Sequence, residues 1–157
     1  MIRIISVGKI KEKYLRDGID EYSKRLSKFT KLEMIELKDV PAPDKLSLIE
    51  EEKIKDEEGK EILSRIKDEY CIALDLKGEM LDSVAFSKKI EDINTSGKST
   101  ITFIIGGSLG LSKKVLDRCD YKLSFSHMTF PHQLFKLILL EQIYRAYKIL
   151  NNETYHK

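Results

Sequence analysis

The chain has 157 residues, the length of one ordinary domain, and it is long enough to enclose a hydrophobic core without disulfides or metals. Its formal net charge is only +2, whereas a dedicated non-specific nucleic-acid binder is usually far more basic, so that class of protein is disfavoured. Residues 1–7 are typical of a strand and not of a secretory signal, and no apolar run reaches membrane-spanning length, so we expect a cytoplasmic protein.

Charge is distributed unevenly. Residues 1–31 contain nine Lys and Arg against four Asp and Glu, whereas residues 44–69 contain six against ten. This asymmetry permits nucleic-acid contact, but two solvated helix faces explain it equally well. Cys71 and Cys119 stand apart, without the Cys or His spacing that holds zinc. They favour a reducing compartment, and we expect no metal site.

Short β-branched runs alternate with amphipathic stretches along the chain. Their periodicity predicts strands at 2–7, 31–37, 70–75, 100–105 and 121–125, and helices at 13–26, 46–66, 83–93, 112–117 and 132–150. This alternation favours a single α/β domain, residues 1–157, with a mostly parallel sheet covered by helices on both faces. The run at 100–105 is apolar at nearly every position, as a doubly buried central strand would be.

Three predicted strands end in unusual loops, at 74–78, 106–110 and 125–130. Because ligands of open α/β sheets bind at the carboxyl ends of strands, we expect the three loops to meet in one crevice. There the glycines would let the backbone approach an adenosine or phosphate, and a side chain at Gly106 would fill the ligand's space. A simple turn that needs positive φ, with Ser112 as the next N-cap, remains an alternative.

Two familiar nucleotide motifs do not apply here. Residues 97–100, Gly-Lys-Ser-Thr, lack the first glycine of a P-loop and enter a strand, so they predict a turn. Residues 106–110 lack the GxGxxG spacing and follow the fourth strand instead of the first. A nucleotide dehydrogenase is therefore disfavoured.

The last predicted helix has almost no polar face. A helix that is apolar all round must be buried all round, which in so small a domain favours a homodimer. Positions such as Leu140 or Tyr144 would then face the partner. A helix enclosed within one monomer is the alternative.

Six separated motifs resemble those of one known family. They are Val7-Gly8-Lys9, Leu74-Asp75, Ile105-Gly106-Gly107 with Gly110-Leu111, residues 128–132 (Met-Thr-Phe-Pro-His), residues 141–146 (Glu-Gln-Ile-Tyr-Arg-Ala) and Tyr155-His156-Lys157. In this order, and over the whole chain, they are similar to the pseudouridine N3-methyltransferases of the large ribosomal subunit, in the SPOUT superfamily.

The resemblance implies a specific enzyme. The fold would be a SPOUT-type α/β domain with a C-terminal trefoil knot, an exception to the rule that chains do not knot. The enzyme would be a homodimer that uses S-adenosyl-L-methionine to methylate N3 of a pseudouridine in the helix 69 loop of 23S rRNA, on assembled ribosomes. Carried over by position, the cofactor pocket would be lined by Leu74, Gly106, Phe125, Ser126, His127, Met128, Thr129 and Phe130.

The resemblance also suggests the acceptor side. A sulfonium methyl is already activated, so its transfer needs positioning and removal of the N3 proton, and no metal. We expect Arg145 to contact a phosphate or base, and His156 to accept or orient a proton. His127 would act through its main chain only, and the terminal residues 155–157 would contribute little to the core. A non-catalytic, nucleotide-binding dimeric regulatory module is the alternative function.

Overall fold

The computed structural model describes all 157 residues as five strands and five helices in strict alternation. In chain order they are β1 (Ile2–Val7), α1 (Lys13–Leu26), β2 (Leu32–Leu37), α2 (Leu48–Ser64), β3 (Tyr70–Met80), α3 (Ser83–Thr95), β4 (Ile101–Ile105), α4 (Lys113–Arg118), β5 (Tyr121–Ser124) and α5 (His132–Leu150). All ten predicted elements are therefore present. None of the helices has the length and apolar character needed to cross a bilayer.

The strands form one parallel sheet in the order β2-β1-β4-β3-β5. Strand β4 is central, with Ile104 aligned to Ile5 on one side and to Ala73 on the other. Every residue of β4 is buried, as its uniformly apolar sequence predicts for a strand covered on both faces. The α/β class and the parallel sheet are confirmed, while the C-terminal knot stays a prediction.

Two hydrophobic clusters cover the two faces of the sheet, because side chains alternate along each strand. In β1, Ile2 and Ile4 point into the larger cluster, whereas Ile5 and Val7 point into the smaller one. Helices α1, α3 and α5 bury their apolar faces in the larger cluster, and α2 and α4 in the smaller. This arrangement leaves the carboxyl ends of the strands free to carry a site.

Three helices begin at side-chain caps that the sequence supplies. Ser47, Asp82 and Ser112 each accept a hydrogen bond from the backbone N–H three residues later, at the starts of α2, α3 and α4. The caps explain why α2 begins at Leu48, two residues after the predicted start.

Strand β3 is longer than predicted. It continues past Asp75 to Met80, and it pairs with β5 both before and after a break in register between Leu74 and Glu79. At Gly78 the chain runs so close to β5 that a Cβ would lie 2.6 Å from the carbonyl carbon of Lys122. This contact is long-range, so the local pattern of residues 76–80 could not reveal the extra strand.

Helix α5 is enclosed more fully by its own chain than predicted. It packs against α1 and α3, and none of its residues is largely exposed to solvent. Leu140 and Tyr144, which we expected at a partner's surface, are 0% and 8% exposed in the chain's own core, so that expectation is wrong for both. The half-buried apolar residues of its outer side include Leu134 and Ile138.

Candidate functional site

The three strand-end loops meet, as the sequence predicts. Together with the start of α5 they line one cavity of about 630 Å³, which we call the first cavity. Its walls come from residues 74–77 after the first part of β3, 105–111 after β4, and 123–125 and 129–132 after β5. The volume lies within the range of roughly 300–1,000 Å³ that is usual for small-molecule sites.

Glycines shape the middle loop. A Cβ on Gly106 would lie 2.8 Å from the carbonyl carbon of Gly110, so Gly106 is needed for the loop to close on itself, and its role toward a ligand stays a prediction. Gly110 has φ of +87° and donates its N–H to the Gly107 carbonyl at 3.0 Å. Ser112 then caps α4. The turn and N-cap of the alternative interpretation are therefore present, in a loop that also lines the cavity.

A buried carboxylate supports this loop from α2. The Glu58 side chain accepts a hydrogen bond from the backbone N–H of Val40 at 3.0 Å. A Cβ on Gly107 would lie 3.3 Å from its Oε1 atom. Burial raises the pKa of Glu58, and the nearby Asp39 carboxylate adds to the shift, while the Val40 hydrogen bond opposes it. The sequence pattern of α2, dense in acidic residues, gave no sign that one of them is buried.

The chemistry of the first cavity suits an S-adenosyl group. Its walls include Leu74 and the aromatic rings of Phe130 and Phe135, which meet edge to face with centroids 5.7 Å apart. Aromatic faces attract a cation such as a sulfonium. Asp75 and Ser108 add polar groups at the rim, so the cavity combines apolar walls with a few polar contacts, as ligand sites commonly do.

A second cavity of about 540 Å³ adjoins the first. The two share three wall residues, which are Leu123, Phe125 and Phe130. The other walls of the second cavity come from the start of α3, the middle of α5 and the chain end, and they include Ser83, Val84, Ile138, Gln142 and His156.

The predicted cofactor residues divide between these cavities. Five of the eight line the first cavity: Leu74, Gly106, Phe125, Thr129 and Phe130. Ser126 lines the second cavity instead, and its side chain accepts a hydrogen bond from the backbone N–H of Met128 at 3.0 Å. His127 and Met128 line neither, and the Met128 side chain is 73% exposed.

Arg145 and His156, the predicted catalytic pair, are in contact. The Arg145 Nη1 atom lies 3.1 Å from Nδ1 of His156. Arg145 also donates from Nε and Nη2 to the Glu141 carboxylate, at 3.0 and 2.6 Å. The hydrogen bond to Glu141 raises the pKa of Arg145, which therefore stays charged. Arg145 is thus held by two side chains of its own protomer, and its contact with a phosphate or base stays a prediction.

Glu141 is a functional candidate that sequence reasoning missed. Besides Arg145 it accepts hydrogen bonds from the hydroxyl of Tyr155 at 3.1 Å and from the amide of Gln142 at 2.8 Å. Gln142 in turn accepts from Ser83 at 2.8 Å. The available signal was that Glu141 lies four residues before Arg145. Side chains at positions i and i+4 of a helix are close enough to form an ion pair.

The chain end contributes more to the core than expected. The Tyr155 ring packs edge to face on Tyr144, with centroids 5.0 Å apart, and the Arg145 guanidinium lies 4.7 Å from the Tyr155 ring centroid. Burial, followed by hydrogen bonds with Tyr22 and Glu141, raises the pKa of Tyr155. The expectation that residues 155–157 contribute little to the core is therefore wrong for Tyr155, and its packing brings His156 to the second cavity.

The fold agrees with the comparisons to known proteins. A family model described as "Predicted SPOUT methyltransferase" matches residues 1–156. The chain therefore belongs to the SPOUT methyltransferase family, and it is an enzyme that transfers a methyl group.

Named relatives are close in sequence. A Clostridium perfringens protein (strain SM101) named "Ribosomal RNA large subunit methyltransferase H 1" is 62% identical over 157 residues, which is 99% of each chain. A Clostridium botulinum protein (strain Langeland) named "Ribosomal RNA large subunit methyltransferase H" is 62% identical over the same span.

Solved structures support the fold alone. The structure of a probable methylase family protein from Haemophilus influenzae Rd KW20 superimposes with a TM-score of 0.53 at 12% identity. The superposition covers 99% of this chain and 70% of that one.

Proposed function

We propose that this methyltransferase uses S-adenosyl-L-methionine to methylate N3 of a pseudouridine in the helix 69 loop of 23S rRNA. The names of the relatives, which specify the RNA of the large ribosomal subunit, support the substrate class. The six motifs quoted above support the particular nucleoside. The acceptor is the assembled ribosome, which would place the enzyme in the cytoplasm.

The contact between the two cavities is the observation that carries this proposal. Methyl transfer needs a donor and an acceptor held in line and within a few ångströms of each other. The first cavity suits the donor, and the second suits a flat base that inserts beside it. Because Leu123, Phe125 and Phe130 line both cavities, the two sites lie side by side, as donor and acceptor sites must. A regulatory module that only binds a nucleotide has no need of the second cavity.

Bound S-adenosyl-L-methionine supplies a methyl group that is already activated for transfer to nitrogen. The chain's own work is to hold the donor against Leu74 and the loop of residues 105–111, and to exclude water with the phenylalanine rings. As the N3–CH₃ bond forms, the S–CH₃ bond breaks and the N3 proton leaves. The polar residues that line the second cavity, where the acceptor would bind, are Asp82, Ser83, Ser126, Gln142 and His156.

Recognition of RNA is expected beside the site. Lys9, Lys11 and Lys13 are exposed in the loop after β1 and at the start of α1. The preceding Gly8 is close to His132 of the first cavity, because a Cβ on it would lie 3.5 Å from the His132 Nε2 atom. These lysines can contact the phosphate backbone, while the ribosome supplies most of the specificity.

A homodimer would complete the second cavity. Ile138 of α5 and Val84 of α3 line its open side, and Val84 is 53% exposed in the single chain. Leu134, one turn before Ile138, extends this half-exposed apolar surface. Burying it against a second copy would remove apolar area from water and shield the acceptor base.

The test is nucleoside mass spectrometry of 23S rRNA from cells that lack the gene. We expect one methylpseudouridine to disappear and to return when purified enzyme and S-adenosyl-L-methionine are added to the mutant ribosomes. Naked 23S rRNA is the matched control, because it should be a poor substrate. Unchanged rRNA in the mutant cells would reject the proposed substrate.

A further inference from the structure

Arginine can only donate hydrogen bonds, and this property determines the tautomer of the neighbouring His156. The guanidinium carries five N–H donors and no acceptor, and it stays protonated in proteins. Since Arg145 Nη1 lies 3.1 Å from His156 Nδ1, the Nδ1 atom must be the acceptor. A neutral His156 ring therefore carries its single proton on Nε2.

The arginine is itself held by an unusually full set of contacts. One oxygen of Glu141, Oε1, accepts from Arg145 Nε, from Arg145 Nη2 and from the Tyr155 hydroxyl. The other oxygen accepts from Gln142, which is fixed by Ser83 at the start of α3. The guanidinium also stacks over the Tyr155 ring. Glu141 thus determines where Arg145 points and, through it, which nitrogen of His156 is protonated.

We propose that Glu141 and Arg145 are positioning residues that present His156 to the second cavity as a hydrogen-bond donor through Nε2, and not as the base that removes the N3 proton. The inference rests on the proposed methylation of a pseudouridine. When N3 loses its proton, negative charge spreads onto the two carbonyl oxygens beside it. A fixed N–H donor at one of these oxygens stabilises the anion that attacks the methyl group. The proton itself passes to solvent water.

Substitutions of His156 distinguish a role as hydrogen-bond donor from a role as the base that removes the proton. The amide nitrogen of Gln can occupy the place of Nε2–H and donate, but it cannot accept a proton at neutral pH. We therefore expect His156→Gln to keep methyl transfer to ribosomes within about tenfold of the native rate, the cost of a weaker hydrogen bond. His156→Ala, which has no donor, should lose roughly 10²- to 10⁴-fold. If His156→Gln is as inactive as His156→Ala while binding S-adenosyl-L-methionine normally, the donor role is wrong.

The chain supplies a matched control for Glu141. Glu21 and Arg25 form the same i,i+4 pair on α1, with Arg25 Nε 2.9 Å from the Glu21 carboxylate, and they do not contact His156. Glu141→Gln should lower kcat on ribosomes and leave the affinity for S-adenosyl-L-methionine unchanged, whereas Glu21→Gln should change neither. Equal behaviour of the two variants would overturn the positioning role of Glu141.

A direct measurement does not depend on activity. Long-range ¹⁵N–¹H NMR of the native full-length protein reports which ring nitrogen carries the proton, and the His156→Gln spectrum assigns the signal among the three histidines. We expect the Nε2–H tautomer in the native protein and a mixture of tautomers in Glu141→Gln. A native Nδ1–H tautomer would overturn the inference. Native enzyme without activity on ribosomes would instead reject the proposed function, and the tautomer result would still stand.

Discussion

The first and second cavities lie side by side but are constructed in different ways. The first is made by the backbone of strand-end loops, in which Gly106 and Gly110 permit tight turns and apolar side chains fill the walls. The second depends on side chains that come from distant parts of the sequence, such as Ser83 and Gln142, which are 59 residues apart. A cavity made by backbone turns should tolerate many side-chain changes, whereas a side-chain network should fail when one member is lost.

Removing the chain end should have the largest effect and should act on the second cavity alone. Deletion of residues 155–157 takes away His156 and the Tyr155 ring that packs on Tyr144. We expect methyl transfer to ribosomes to fall at least 10²- to 10⁴-fold, because the proposed donor is gone. Stability should fall by about 1–3 kcal/mol through the lost aromatic packing. Calorimetric titration with S-adenosyl-L-methionine should nonetheless give unchanged affinity.

Tyr155→Phe is the control for this deletion, since it keeps the ring and removes only the hydroxyl, which donates a hydrogen bond to Glu141. It should lose much less stability than the deletion. If the deletion also abolished cofactor binding in a folded protein, the two cavities would not be independent of each other.

The difference in construction explains what the sequence could predict. Uniformly apolar runs identify buried parallel strands, and a cap such as Ser112 marks a helix start, because both signals are local. The glycines at 106–110 likewise identified the first cavity. The interactions of Glu141 with Tyr155 depend on how the chain end folds back, and no local pattern encodes that. The predicted His156 and Arg145 came from the resemblance, and their contact with each other came only from the structure.

The sequence did not reveal which side of α5 remains available to a partner. Its uniform apolar character predicts burial, but not which neighbour supplies it. Helices α1 and α3 bury Leu140 and Tyr144, and they leave Leu134 and Ile138 half-buried. Hydrophobicity alone could not distinguish these positions.

A pair of glycines offers a test confined to the first cavity. Gly110 and Gly97 have similar positive φ, +87° and +94°, and a Cβ on either would meet no atom within 4 Å. Gly110→Ala and Gly97→Ala should therefore lose similar stability, about 1–2 kcal/mol each. Only Gly110 lines the cavity, so only Gly110→Ala should weaken S-adenosyl-L-methionine binding, by about tenfold or more for a distorted loop. Equal affinities in calorimetry would mean that the turn does not shape the binding site.

The outer wall of the second cavity should be sensitive to charge if a partner covers it. Ile138→Glu places a carboxylate on the half-buried side of α5, and we expect it to halve the mass measured by light scattering and to lower turnover, because a buried charge would oppose the dimer. Leu48→Glu is the control, since Leu48 is 80% exposed at the start of α2, outside both cavities. A native protein that is monomeric and fully active at micromolar concentration would contradict the proposed dimer.

The smallest effect is expected from Glu58, the buried carboxylate beneath the glycine loop of the first cavity. Burial raises its pKa in the folded protein above the ordinary value of 4.5, so the folded state holds this proton more tightly than the unfolded state does. Stability contributed at low pH is then lost as the pH rises from the ordinary value through the raised one. Gln has no charge to bury, so the free energy of unfolding of Glu58→Gln should improve relative to the native protein over that interval and stay level above it. Urea unfolding at a series of pH values measures this difference, with the exposed neighbour variant Glu57→Gln as the control. If the difference in the free energy of unfolding between Glu58→Gln and the native protein does not change with pH, burial does not destabilise the ionised Glu58 carboxylate.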